Sequence, residues 1–141
     1  MVMWEYEHTA ETAASPEAVW RLWADVPGWG MWNAEIEKVE IDGPFAVGAQ
    51  ITMTPPDDEP VVLKVVEVAE NALFVDQLDA GDFVVTTTHR VEPLGHGRSR
   101  IVYRTEIDGP AADQVGPELG PAITADFPDT VAALVRLAEG R

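Results

Sequence analysis

The side chains of this sequence best suited to chemistry are three histidines, two tyrosines and a knot of tryptophans. His8 and His89 sit in runs that alternate between faces, at positions the alternation turns inward. Imidazole titrates near neutrality, so either residue can act as a general acid or base, or can sit inside as a hydrogen-bonded histidine. His96 lies between glycines in a turn and is expected to face water. Tyr6 and Tyr103 can orient a carbonyl or phenol, or pack with the hydroxyl reaching water. Trp20, Trp23, Trp29 and Trp32 fall within thirteen residues. Each indole buries roughly 150–250 Å² and donates one hydrogen bond, so the cluster either packs a core or lines an apolar pocket.

Counts and spacings exclude much else. Without cysteine there are no disulfides, thiolate metal sites or cysteine nucleophiles. The three histidines are scattered at positions 8, 89 and 96 with no His-x-x-x-His spacing, so neither a metal nor a cofactor is expected. Glycine-rich phosphate loops, a nucleophile elbow and a Ser/His/Asp order are all missing. Asp57-Asp58-Glu59 and the Glu35/Glu37 pair read as a solvated turn and an exposed face. With 25 acidic and 9 basic residues the formal net charge is −16, which disfavours nucleic acid and anionic membranes as partners. No apolar run approaches the roughly eighteen residues of a membrane helix, and Met1-Val2-Met3-Trp4 opens a strand and not a signal peptide. A cytoplasmic protein with one domain over residues 1–141 is expected, as a monomer or homodimer.

These side chains need elements to position them. Trp4, Tyr6, His8 and Ala10 share one face of an opening strand, with Glu5, Glu7, Thr9 and Glu11 on the other. Ser15-Pro16-Glu17 starts a helix that Pro27-Gly28 ends, and a short helical turn follows around 29–32. Ile36, Val39 and Ile41 begin another strand, and further strands are expected over 50–54, 61–68, 73–78, 83–92 and 100–108, the last two joined by a hairpin at 93–97. Alternation turns Ile101, Tyr103, Thr105 and Ile107 inward on the last strand, and Phe83, Val85, Thr87, His89 and Val91 on the one before it. Ile123, Phe127, Val131, Leu134 and Ala138 then form a helical stripe. Prolines at 117, 121 and 128 predict a bent or broken helix, best formed from 121 to 139.

A strand, two short helices, six strands and a long helix is an α+β order. Ser15-Pro-Glu-Ala-Val-Trp20, Trp23-Ala-Asp25, Trp29, Trp32, the 42–48 turn Asp-Gly-Pro-Phe-Ala-Val-Gly and the C-terminal Phe127-Pro128…Val131…Leu134…Leu137-Ala138-Glu139 together resemble the START-like (SRPBCC) superfamily, in its polyketide cyclase/dehydrase branch. The resemblance implies a helix-grip fold: a curved seven-stranded antiparallel sheet wrapped around a long C-terminal helix, with two short helices after the first strand and an internal cavity. Such a cavity holds a small hydrophobic or aromatic molecule.

The strand residues then expected to line it are Tyr6, His8, Met53, Gln77, His89, Tyr103 and Thr105. Ile123, Phe127, Thr130 and Val131 are expected from the helix, with Trp29, Met31 and Trp32 at the mouth. Trp20 and Trp23 read as core. Three functions are compatible with this reading. One is ligand binding. The second is an aromatase/cyclase-type enzyme that folds a poly-β-ketone, with His8 or His89 as acid/base and Tyr103 or Tyr6 steadying the enolate. The third is a protein-interaction module that uses the acidic surface.

Overall fold

The computed structural model describes residues 4–140, so the expected strand start at Met1–Met3 lies outside the described residues. Ser15 opens the first helix as its side chain allows. Its Oγ accepts the Ala18 N–H at 3.2 Å, Pro16 supplies a preset φ and Glu17 complements the positive helix end, giving α1 over Pro16–Ala24. A 3-10 helix, Val26–Met31, follows, slightly ahead of the expected turn.

Seven strands form one antiparallel sheet: β1 Trp4–Thr12, β2 Lys38–Ile41, β3 Gln50–Thr54, β4 Val61–Ala69, β5 Leu73–Asp79, β6 Val84–Gly95 and β7 Arg98–Asp108. Their order is β1-β7-β6-β5-β4-β3-β2, so six strands meander and the first returns to pair with the last. A bulge between Val65 and Glu67 adds local twist, which helps the sheet curve. His96 and Gly97 take positive φ and turn β6 tightly into β7, leaving His96 exposed.

The C-terminal helix is broken, as the prolines predict, into α2 (Ala112–Thr124) and α3 (Phe127–Ala138). Pro128 stands in the first turn of α3, where an N–H has no helical partner to lose. Helix also begins earlier than expected, at Ala112, although Pro117 and Pro121 lie inside α2. Tertiary packing explains the extra length. Gly116 and Gly120 face the Trp4 indole so closely that a Cβ on Gly116 would meet Trp4 Cβ at 2.7 Å and one on Gly120 would overlap the ring. The prolines fall on the exposed side.

This is the helix-grip α+β arrangement, with α3 packed on α1 and β1, and α2 on β1 and β7. The core divides in two. The larger cluster gathers Trp23, Trp29, Trp32, Ile51, Val65, Phe74, Ile101, Tyr103, Val131 and Leu134. The smaller joins Val85, Ile107 and Ala112 to the flanks of Trp4, Leu78, Leu119 and Ile123.

Candidate functional site

What separates the two clusters is a polar row. Strand register sets Tyr6 beside Thr105, Thr105 beside Thr87 and Thr87 beside Asp76, so four polar side chains cross the concave face perpendicular to the strands. One alternation step away lies the row His8, Tyr103, His89 and Phe74, which belongs to the side of the larger cluster. One step the other way lie Ile107, Val85 and Leu78 of the smaller cluster. Thr87 and Thr105 are buried and satisfy each other, Oγ1 to Oγ1, at 3.1 Å.

The break between α2 and α3 roofs this row. Ile123 on the α2 side packs in the smaller cluster, while Phe127 and Val131 on the α3 side pack in the larger. The Phe127 ring stands 6.1 Å from Tyr6 and 5.5 Å from Tyr103. The break is polar too: Thr124 Oγ1 donates to the Gly120 carbonyl at 3.0 Å and Thr130 Oγ1 to Asp126 Oδ2 at 3.2 Å.

Asp76 is the anomaly. Its side chain is 5% exposed, with no hydrogen-bond partner among the described residues. Burial alone pushes its carboxyl from the ordinary 3.8 up to about 7, with no cation or donor to offset the desolvation. Sealed side-chain polar atoms without a partner are Trp32 Nε1 and Asp108 Oδ1 among the described residues, so the Asp76 oxygens border accessible space. A carboxyl so placed is half-protonated near neutrality and can either take up or release a proton.

The wall beside it is aromatic and tightly bonded. Trp23 Nε1–H donates to Tyr103 Oη at 3.1 Å, and Trp29 Nε1–H to the Trp23 carbonyl at 2.9 Å. His89 stacks on Phe74 with centroids 4.0 Å apart and planes 5° from parallel. Its Nδ1 lies 3.3 Å from the Phe74 carbonyl oxygen, which can only accept, so Nδ1 carries the hydrogen. Burial drives His89 down to about 3 and pushes the Tyr103 phenol up. His89 is therefore held in its neutral form near pH 7.

The remaining expected residues divide by position. Tyr6 and His8 are half-buried on the concave face of β1, and Met53 is half-buried on β3 against the larger cluster. Gln77 belongs elsewhere. Its Nε2–H donates to Thr86 Oγ1 at 3.1 Å on the convex face, because pairing with β6 turns Asp76 inward instead. Trp29 and Trp32 are buried in the larger cluster with rings 6.0 Å apart, whereas Met31 is 73% exposed. Asp76 was missed because Leu73, Phe74 and Val75 are apolar on both faces of a central strand, so alternation carries no phase there. An aspartate inside that apolar run was the available signal.

Among the described residues no group of three histidine, aspartate or glutamate side chains can hold a metal ion, and no helix is long and apolar enough to cross a membrane. A shallow surface depression between α1 and the β4–β5 turn, rimmed by Glu17, Trp20, Arg21, Asp25 and Glu70, contains none of the expected site residues.

The family model described as polyketide cyclase / dehydrase and lipid transport matches residues 3–139. Norcoclaurine synthase from Thalictrum flavum is 22% identical, with a TM-score of 0.74 over 97% of this chain and 87% of that one. The di-domain ARO/CYC BexL from the BE-7585A biosynthetic pathway is 18% identical, with a TM-score of 0.78 over 97% of this chain and 47% of that one. A solution structure from Thermobifida fusca is 21% identical, with a TM-score of 0.78 over 95% and 92%. At these identities the likeness is one of fold. No curated protein matches the sequence.

Proposed function

The chain belongs to the polyketide cyclase/dehydrase and lipid transport family, and from that premise we propose that it binds a small hydrophobic or aromatic molecule between the concave face of the sheet and the α2–α3 break. The observation that carries this reading is the polar row ending in an unpartnered Asp76 between two apolar clusters. Ligand sites are mostly apolar with a few placed polar groups. A core selected for stability alone gains nothing from a buried, unpaired carboxylate, which costs free energy to desolvate. In this reading Tyr6, Phe127 and Tyr103 flank the ligand body, and Thr87, Thr105 and Asp76 meet its polar end. Trp23, Phe74 and His89 supply a stiff wall.

Tryptophan fluorescence tests it, because Trp4 stacks on Tyr6 at 6.5 Å and Trp23 contacts Tyr103. Titration with a panel of neutral aromatics and medium-chain alcohols should give saturable changes for some members, weakened about tenfold or more in Phe127→Ala, equivalent to losing one large apolar contact. A flat response from the whole panel, with no thermal shift, overturns the reading.

A second reading is favoured by the carboxyl at about 7. Asp76, in place of His8 or His89, would move the proton in an aldol cyclisation or dehydration, with the Tyr6 hydroxyl near the substrate oxygen.

A further inference from the structure

We propose that the molecule bound here carries a protonated amine that pairs with the Asp76 carboxylate, which narrows the binding reading above, on which it rests, to aromatic amines. Asp76 is more than nine-tenths buried, has no partner and borders accessible space, so the missing complement is a donor that comes with the ligand. Among the described residues the protein does not provide one. Lys38, Lys64, Arg90, Arg98, Arg100 and Arg104 all stand at convex-face positions of their strands, one residue out of step with the inward set. Arg21 and Arg136 are exposed on helices. Thr87 and Thr105 already bond each other, which leaves the carboxylate as the strong acceptor of the row.

Between a hydroxyl and an ammonium the chemistry favours the ammonium. Charge-assisted hydrogen bonds are roughly twice as strong as neutral ones, and the rings beside the row offer a cation the attractive faces of tyrosine and phenylalanine. The formal net charge of −16 acts in the same direction at longer range, drawing cations and repelling carboxylate lipids. Of the other titratable groups on this face, His89 is held neutral, and burial keeps the proton on Tyr103.

The test uses three probes that share one aromatic body: 2-phenylethylamine, 2-phenylethanol and 3-phenylpropionate. Each is titrated at about pH 8 and about 0.15 M ionic strength against the wild-type chain and Asp76→Asn, a near-isosteric change whose folding is checked by its thermal unfolding. In wild type the amine should bind about tenfold or more tighter than the alcohol, and the carboxylate weakest. Asp76→Asn should bring amine and alcohol together while leaving the alcohol within about threefold of wild type. An amine preference that survives Asp76→Asn would come from the bulk charge and overturns the proposal, as does a wild type without the preference. If the neutral panel still binds, such a failure leaves the binding reading standing; if the panel is flat as well, both fall.

Discussion

Asp76 and His89 face the same interior, and burial moves them in opposite directions for one reason: each is held towards its neutral form. The consequences for stability are opposite in sign. For Asp76 the carboxyl titrates near 3.8 when unfolded and about 7 when folded, so the folded chain holds this proton more tightly. Its contribution is fully present below about pH 4, falls as pH rises towards 7 and levels off above. For His89 the folded value of about 3 lies below the ordinary 6.5, so its contribution is present above 6.5 and is lost as pH falls towards 3. Comparing Asp76→Asn with wild type isolates the first effect. The variant should be more stable, by a margin that grows from pH 5 to pH 8 to on the order of a few kcal/mol. Chemical denaturation at the two pH values reads it; an equal margin at both would show that the fold does not raise the Asp76 carboxyl above its unfolded value. His89 was legible as inward from alternation, yet its stacking on Phe74 and its neutral state depend on a neighbour fifteen residues away.

At the scale of elements, α2 is a poor helix by its own sequence. Two glycines each cost about 1 kcal/mol against alanine, and two prolines inside it remove ladder hydrogen bonds. Packing against Trp4 compensates, and it does so through the glycines, since only a residue without Cβ lets the indole lie so close. Gly120→Ala therefore sets two effects against each other. Propensity favours the variant by about 1 kcal/mol, while displacing the indole costs about 1–3 kcal/mol. Overpacking should win, lowering the melting temperature and shifting the Trp4 emission; a higher melting temperature would refute the packing account. The prolines read correctly as a warning of a broken helix. Which side of α2 the glycines face could not be read, because that depends on how the helix is rotated against β1.

The whole molecule is closed by its two ends. β1 pairs with β7, and Thr12 Oγ1 and the Ala13 N–H both donate to Glu139 Oε2, at 2.7 and 2.8 Å. On the convex face Arg104 bridges Glu5, Glu7 and Glu106, a small relief for a chain with a formal charge of −16. Exposed pairs of this kind contribute little, whereas the excess negative charge opposes compaction everywhere. Raising the salt concentration from about 0.01 M to about 0.5 M shortens the screening length from about 30 Å to a few ångströms, and should raise the melting temperature by on the order of a few degrees. A decrease on adding salt would mean that the Arg104 network outweighs the self-repulsion.

The sequence by itself determined the α+β element order, the capped first helix, the broken last one and the inward faces of β1, β6 and β7, because alternation and helical spacing are local and those strands are polar on one side. It marked Trp20 and Trp23 as core from their helical spacing, while the structure buries Trp29 and Trp32 in the same cluster. Only the tertiary structure decided that Asp76 and not Gln77 faces inward, that Thr87 and Thr105 bond, and that a polar row divides the core beneath the helix break. The physical reason is that β5 opens with Leu73, Phe74 and Val75, apolar on both faces. Its phase is set by hydrogen-bonded register with β4 and β6, information carried between strands and not along any one of them.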